Sequence, residues 1–244
     1  MIYFMHIPKT AGSTFRAILE VNFGKAAIQK LYSREKMDAF LEQGCKKRTE
    51  VVAGHLSQDV IASFPTEGRI VTFLRDPVAR VLSHYNHLSN SPDPSHRKLI
   101  EAHPTLASFA THPWGSNLQT QYVAGKDIDV RTNPEEALSA ARRNLSDMAV
   151  VGLAERFDES LLLFKHRLEG FRKTAYRSEN VRSYRRAEIA EADRAAIVDA
   201  NASDLALYRY AVERFEADLA SVPLLGAKLL VHRVGKAMAN RSGG

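Results

Sequence analysis

Short apolar segments that alternate with helical stretches are the feature of this 244-residue sequence that most restricts its fold. Four of these segments, at residues 2–7, 51–54, 69–74 and 149–153, are mostly apolar or β-branched and are too short to be helices. We therefore expect them to be buried strands. Strands separated by helices usually form a mainly parallel sheet. The prediction is an α/β fold of three layers, with helices on both faces of the central sheet.

The stretches between these strands carry apolar side chains at helical spacing. They lie at residues 15–23, at about 26–43, and from about 187 to 219, where Asn201 is expected to interrupt the helix. Asp76 and Pro77 suit the cap and the first position of another helix, which continues through Tyr85. Each predicted helix therefore follows a strand or connects two of them.

Length and composition favour one globular domain with a short C-terminal extension. Apolar residues make up 45% of the chain and charged residues 25%, close to globular averages. We assign residues 1–220 to the domain and 221–244 to a basic amphipathic tail that packs on it. A tail of this composition also suits peripheral contact with an anionic membrane surface.

No segment suggests export or insertion into a membrane. Apolar runs fall short of the roughly 20 residues that a membrane-spanning helix needs, and the N-terminus lacks the basic and apolar regions of a secretory signal. The expectation is a cytoplasmic protein. Cys45 is the only cysteine, which excludes a disulfide within the chain and argues against a zinc–thiolate site.

The charge balance points to an anionic partner. Lys and Arg number 34 against 28 Asp and Glu, which gives a formal charge of +6. Such an excess suits a nucleotide, an acidic polymer, a membrane surface or a nucleic acid. Cations and acids are mixed along most of the chain and no nucleic-acid-binding motif occurs, so nucleic acid is not the expected partner.

Polar clusters follow three of the predicted strands at the point where each strand ends. They are residues 9–14, His55, and residues 75–83. Ligands of open parallel sheets bind beyond the carboxyl ends of the strands, where the strand order reverses. We therefore expect the three clusters to meet at one edge of the sheet.

The first cluster has the composition of an anion-binding loop. Its residues are Lys9, Thr10, Ala11, Gly12, Ser13 and Thr14. Gly12 permits close backbone approach, Ser13 and Thr14 supply hydroxyls, and the following helix directs its N–H groups at the ligand. The nucleotide-triphosphatase loop places its lysine late, after two spaced glycines and directly before Ser or Thr. Here the lysine comes first and no Gly-Lys-Ser or Gly-Lys-Thr run occurs, so ATP hydrolysis is disfavoured. Taken alone, these residues also fit an ordinary strand–helix turn with a capping serine.

The third cluster combines an arginine with a hydroxyl. Arg75 ends the third strand and Ser83 lies on the next helix, a pair that suits a second phosphate group. Arg80, His84 and His87 share the helical face of Ser83. Arg80 also fits a solvated surface cation, and we interpret the two histidines as part of a polar helix face.

His55 is a candidate general base. It directly follows a buried strand and Gly54, and the usual histidine pKa suits proton removal from an alcohol near neutral pH. A lone histidine is more often structural than catalytic. Its expected place beside two anion sites favours the catalytic interpretation.

Two segments resemble the paired donor-binding signatures of sulfotransferases that use 3′-phosphoadenosine 5′-phosphosulfate (PAPS). They are HIPKTAGST at residues 6–14 and RDPVARVLSHY at residues 75–85. The resemblance is to the carbohydrate type related to heparan sulfate and uronyl 2-O-sulfotransferases. Less specific similarities occur at residues 54–55, 117–125, 151–157 and 207–215. The similarities are thus spread over about residues 2–216, nearly the whole chain.

The resemblance implies a P-loop-like fold and a role for each cluster. Residues 9–14 would hold the 5′-phosphosulfate of PAPS, and Arg75 and Ser83 its 3′-phosphate. Lys9 would stabilise the leaving oxygen, and His55 would deprotonate the acceptor hydroxyl. The implied acceptor is a carbohydrate or glycoconjugate, PAPS is the donor co-substrate, and no metal is required.

Other features keep more than one interpretation. The resemblance suggests further donor contacts in the arginine-rich segment 172–186, with candidates Asn180, Arg182 and Arg185, although a solvated basic loop has the same composition. Trp114 fits a ring that stacks on a sugar or an adenine, and equally a partly buried structural tryptophan. Alternative functions are a nucleotide-dependent kinase and a non-catalytic anion-binding module.

Overall fold

A computed structural model describes residues 1–176 and 189–241, and this part of the chain contains a five-stranded, all-parallel sheet. Its strand order is β2-β3-β1-β4-β5. The strands are β1 (Ile2–Met5), β2 (Ile28–Leu31), β3 (Val51–Gly54), β4 (Arg69–Leu74) and β5 (Val150–Leu153). The predicted α/β fold with a mainly parallel sheet is therefore confirmed.

Helices connect the strands and follow the last of them. They are α1 (Gly12–Phe23), α2 (Arg34–Gln43), α3 (Gln58–Ala62), α4 (Pro77–Ser89), α5 (Pro94–Ala102), α6 (Leu106–Ala110), α7 (Leu118–Ala124), α8 (Pro134–Asp147), α9 (Phe157–Arg167), α10 (Glu191–Ala200), α11 (Ala202–Ala220) and α12 (Leu225–Arg241). The predicted interruption at Asn201 is confirmed between α10 and α11. Asp76 caps α4 as expected, since its carboxylate accepts a hydrogen bond from the Ala79 N–H at 2.8 Å.

The connections reverse direction at β1, which creates the switch point. From β1 the chain crosses to β2 on one side of the sheet, whereas β3 connects to β4 on the other side of β1. Right-handed crossovers in opposite directions place their helices on opposite faces. The carboxyl end of β1, between those of β3 and β4, is therefore where a ligand is expected to bind.

The helix predicted at residues 26–43 is wrong in its first part, which forms edge strand β2. Ile28–Leu31 pairs in parallel with β3, and Ile28 and Leu31 are buried. Gln29 and Lys30 between them are only half-buried, so the segment lacks the strict alternation by which half-buried strands are recognised. The helix begins later, where the Ser33 hydroxyl accepts a hydrogen bond from the Lys36 N–H.

Aromatic packing anchors the 9–14 loop to the sheet. Phe15, one helical turn into α1, is fully buried, and its ring centroid lies 4.9 Å from those of Phe4 and Phe73 and 4.4 Å from that of Phe164. Burial of one such side chain stabilises the fold by about 1.5–3 kcal/mol. The start of α1 is thereby held at a constant position relative to β1 and β4.

The C-terminal helix α12 packs against α9 on one side. The buried His232 of α12 lies 3.2 Å from an Asp158 carboxylate oxygen of α9. Apolar side chains remain exposed elsewhere on this segment, at Leu224, Leu230, Val231 and Val234. None of the helices in the described part of the chain has the length and apolar composition needed to span a bilayer.

Candidate functional site

The three polar clusters line one cleft at the carboxyl edge of the sheet. The cleft has a volume of about 1280 Å³. Of the residues predicted for the site, it is lined by Lys9, Ala11, Gly12, Ser13, Thr14, His55, Arg75 and Ser83. Thr10 is buried instead, and its hydroxyl donates to the Ile7 carbonyl at 2.8 Å. Its side chain therefore stabilises the loop and does not line the cleft.

The 9–14 loop has the backbone of an anion cradle. Lys9 and Ala11 adopt left-handed conformations, with φ of 68° and 70°. Such angles cost about 1–3 kcal/mol each in a residue other than glycine, and they turn successive N–H groups toward one concavity. Neither a capping side chain nor an acidic residue in the first turn neutralises the N-terminus of α1. Its free N–H groups and positive dipole end favour an anion in the cleft.

Position 12 must be glycine because the ring of His6 leaves no room there for a Cβ atom. A Cβ atom at Gly12 would lie 1.9 Å from His6 Cδ2, and the His6 ring is itself held by the Tyr32 hydroxyl at 2.8 Å from Nδ1.

We expect Gly12→Ala to destabilise the protein by about 1–3 kcal/mol and to weaken anion binding, because the His6 ring or the loop must move. Urea unfolding and calorimetry with 3′,5′-adenosine bisphosphate measure the two effects. Gly226→Ala, at a position with open space around it, is the matched control.

Arg75 joins the first and third clusters. Its Nη1 donates to the Lys9 carbonyl at 3.1 Å, its Nε lies 3.8 Å from a Glu155 carboxylate oxygen, and its side chain lines the cleft. Burial lowers the pKa of Lys9, and the charge of Arg75 lowers it further. Two cations forced together in this way favour a bound anion, which relieves their repulsion.

Gln119 holds the backbone of Arg75 in position, a role for which the sequence gives no direct signal. Its side-chain oxygen accepts from the Arg75 N–H at 2.9 Å and its amide nitrogen donates to the Arg75 carbonyl at 2.9 Å. The buried Asp204 of α11 in turn accepts from the Gln119 and Thr120 N–H groups at 3.2 and 2.7 Å. The resemblance of residues 117–125 marks this segment in the sequence but implies no role for Gln119.

Arg80 is fully buried, so its interpretation as a solvated surface cation is wrong. Its guanidinium donates to the carbonyls of Trp114 and Gly115 at 3.0 and 3.1 Å, and its Nε lies 4.0 Å from Asp204. His84 is also buried, with Nδ1 3.2 Å from the Trp114 carbonyl, so the part of the predicted polar helix face that it occupies is not exposed to solvent. His87 is exposed and lines the cleft.

His55 is presented to the cleft in the tautomer of a general base. Its Nδ1 lies 2.7 Å from the His6 carbonyl, which can only accept a hydrogen bond, so Nδ1 carries the proton and Nε2 is left free to take one. Burial by the cleft walls lowers the pKa of His55, the His6 carbonyl opposes this shift, and the charge of Arg16 adds to it. The neutral imidazole is therefore favoured.

A group of aromatic rings that the sequence did not reveal surrounds His55. Tyr32, directly after β2, contacts the His55 ring edge-on at 5.0 Å, and the Arg16 guanidinium lies 5.3 Å from the Tyr32 ring centroid. Burial, with the charges of His55, Arg16 and Lys9, lowers the pKa of His6 to about 3, so this ring stays neutral.

Three further residues predicted to contact the donor, Asn180, Arg182 and Arg185, lie outside the described residues.

Comparison with known proteins agrees with the geometry of the cleft. The model of a family described as the sulfotransferase family matches residues 1–219, which include the sheet and every residue placed in the cleft above. No curated protein matches the sequence. A match over most of the chain identifies the family, and the five-stranded parallel sheet fits its P-loop-like fold. The chain belongs to the sulfotransferase family.

Proposed function

We propose that this sulfotransferase moves a sulfuryl group from PAPS to a hydroxyl of a carbohydrate or glycoconjugate. The observation that carries the proposal is the meeting of an anion cradle, a cationic pair and a histidine with a free Nε2 in one cleft. Family membership supports sulfuryl transfer, and the chemistry of these groups supports the choice of donor.

The donor fits along the switch point of the sheet. In this proposal residues 9–14 bind the 5′-phosphosulfate, and Arg75 and Ser83 bind the 3′-phosphate. The adenosine then extends toward the end of β5, where Phe157 and Tyr176 line the same cleft. A nucleotide with two separate anionic groups satisfies the N-terminus of α1 and the repelling pair of Lys9 and Arg75 together.

The proposed reaction uses His55 as base and Lys9 as electrostatic stabiliser. The acceptor hydroxyl loses its proton to His55 Nε2 as its oxygen attacks sulfur. A bond forms between that oxygen and sulfur, while the bond between sulfur and the bridging phosphate oxygen breaks. The Lys9 ammonium stabilises the negative charge that develops on the departing oxygen. As in phosphoryl transfer, positioning and charge stabilisation supply most of the catalysis.

The pH dependence follows from the lowered pKa of His55. A general base acts in its neutral form, so activity falls as pH drops through its pKa. We expect the acidic limb of the kcat/KM profile to lie below about 6.5, the ordinary histidine value. A profile measured with saturating PAPS and varied acceptor tests this. An acidic limb well above that value would contradict the account of His55.

Nucleotide binding distinguishes a PAPS-dependent sulfotransferase from a nucleotide-dependent kinase. By calorimetry, 3′,5′-adenosine bisphosphate is expected to bind without added metal, and ATP with magnesium is expected to compete poorly because it lacks the 3′-phosphate. Tight binding of ATP with magnesium and weak binding of the bisphosphate would overturn the assignment of the donor.

Arg75→Ala should abolish the preference for the 3′-phosphate, while Arg34→Ala, at an exposed site outside the cleft, serves as control.

We also propose that the C-terminal segment contacts an anionic membrane surface. Its exposed side chains Leu224, Leu230, Val231 and Val234 are accompanied by the exposed cations Lys228 and Arg233. An apolar face with flanking cations suits the interface of an anionic bilayer. Flotation with phosphatidylglycerol-containing vesicles is the test. Binding should be lost in Leu230→Glu, and it should be absent on uncharged phosphatidylcholine vesicles. Wild-type protein that floats with neither kind of vesicle would overturn the proposal.

A further inference from the structure

The cleft has a second end, away from the place proposed for adenosine. At this end the rings of His87 of α4, His96 of α5 and Trp114 lie close together, with centroids 6.3 Å apart between His87 and His96 and 6.2 Å apart between His96 and Trp114. Gln121 of α7 and Lys126 also line the cleft. The end at β5 holds Ala154, Glu155, Phe157 and Tyr176. The two ends are therefore formed by different parts of the chain.

Contacts within the fold tie the second end to the general base. Helix α3 begins three residues after His55, and its Asp59 carboxylate accepts a hydrogen bond from the Lys126 N–H at 2.9 Å. Burial lowers the pKa of His87, and the charge of Lys9 lowers it further. Lys9 and His55 line the same cleft as His87 and Trp114, so an acceptor bound on Trp114 would share this cleft with both groups that act on its hydroxyl.

Trp114 is an exposed aromatic ring at the second end whose backbone is held firmly. The carbonyl of Trp114 accepts hydrogen bonds from Arg80 Nη1 and His84 Nδ1, at 3.0 and 3.2 Å. Its indole stacks on the His84 ring at 5.7 Å with an interplanar angle of 11°. Burial, with the charge of Arg80, lowers the pKa of His84 to about 3, so this support stays uncharged. The rings of His96 and His112 lie nearly perpendicular to the indole, at 6.2 and 5.8 Å between centroids, and 41% of Trp114 remains exposed.

The following turn leaves the ring little freedom to move. A Cβ atom at Gly115 would lie 2.0 Å from the Phe109 carbonyl oxygen, so the chain passes against α6 with no room for a side chain. Asn201 Nδ2 donates to the Gly115 carbonyl at 2.9 Å. A large apolar ring that is held in place and left exposed in a polar cleft is typical of a binding platform, because little conformational entropy is lost when a ligand covers it.

We propose, on the basis of the function proposed above, that Trp114 is the platform on which a sugar ring of the acceptor stacks. The C–H groups of one pyranose face would pack on the exposed part of the indole. His87, His96 and Gln121, which line the same cleft, would bind the hydroxyls at the ring's edge. An apolar surface bordered by hydrogen-bonding side chains matches a sugar better than it matches an apolar alcohol.

The only tryptophan in the sequence gives a direct test. Its fluorescence is followed while tetrasaccharides of cellulose, of chitin and of a uronate-containing glycosaminoglycan are titrated into protein saturated with 3′,5′-adenosine bisphosphate. We expect at least one to shift the emission to saturation, and the bisphosphate alone to change it little. If none of them does so, or if the bisphosphate alone produces the shift, the platform is not an acceptor site and the proposal is overturned.

Kinetics of two variants complete the test. Trp114→Ala should raise the acceptor KM by roughly 10- to 30-fold, leave bisphosphate affinity unchanged, and be largely rescued in Trp114→Phe. An equal loss of bisphosphate affinity would assign Trp114 to adenine instead and overturn the proposal. Leu41→Ala, exposed and outside the cleft, controls for general destabilisation. Fluorescence requires no turnover, so a failure of sulfuryl transfer and a failure of the platform are distinguishable.

Discussion

Replacing His55 by alanine is expected to lower kcat by about 10²–10⁴-fold, the usual contribution of a general base. The affinity for 3′,5′-adenosine bisphosphate should be unchanged, because His55 lies at the end of β3 and the groups proposed to bind the nucleotide follow β1 and β4. Single-turnover sulfate transfer measures the first quantity and calorimetry the second. A non-catalytic anion-binding module would show no such separation between turnover and nucleotide binding.

The control for this prediction is His166→Ala, an exposed histidine on α9 outside the cleft. It should retain full activity. A His55→Ala enzyme that works within a few-fold of wild type would remove His55 from the mechanism. Parallel loss of turnover and bisphosphate affinity would instead show that His55 supports the nucleotide site, to which it is linked through the His6 carbonyl.

Replacing Lys9 by methionine is expected to lower kcat by about 10²–10³-fold, comparable with the loss of one donor to a developing anion. The substitution keeps most of the side-chain volume and removes the charge near the leaving oxygen. Bisphosphate affinity should also fall, though by less, because the N–H groups of α1 and Arg75 remain. Steady-state kinetics with varied PAPS, together with calorimetry, separate these effects.

Lys25→Met provides the matched control, since Lys25 is exposed and outside the cleft. It removes the same charge from the protein, so it tests whether net charge alone is responsible. A Lys9→Met enzyme with normal kcat and only a raised KM for PAPS would restrict Lys9 to binding. That result would contradict its role at the leaving oxygen.

Most of the sheet and the meeting of the three clusters were predictable from sequence. Strands β1, β3, β4 and β5 are short and almost wholly buried, so their composition identifies them. The carboxyl ends of parallel strands share one edge, and the positions of Lys9, His55 and Arg75 followed from that rule. Strand β2 escaped prediction because an edge strand with half-buried polar residues resembles one face of a helix.

What could not be predicted depends on contacts between distant parts of the chain. Tyr32 reaches His6 and His55 only because β2 exists and pairs with β3. Arg80 is charged and lies on a helix, and nothing nearby in the sequence shows that Asp204, 124 positions later, is its partner in the core. The roles of Gln119 and Trp114 likewise depend on packing between α4, α7 and α11.

Transfer of radiolabelled sulfate is the decisive measurement of the proposed reaction. Purified protein is incubated with labelled PAPS and a panel of glycans, without added metal, and the products are separated and counted. The proposed reaction requires label on a glycan hydroxyl, inhibition by 3′,5′-adenosine bisphosphate, and loss of transfer in His55→Ala. Protein that binds the bisphosphate tightly and yet transfers no sulfate to any glycan, or a His55→Ala variant that transfers as fast as wild type, would contradict it.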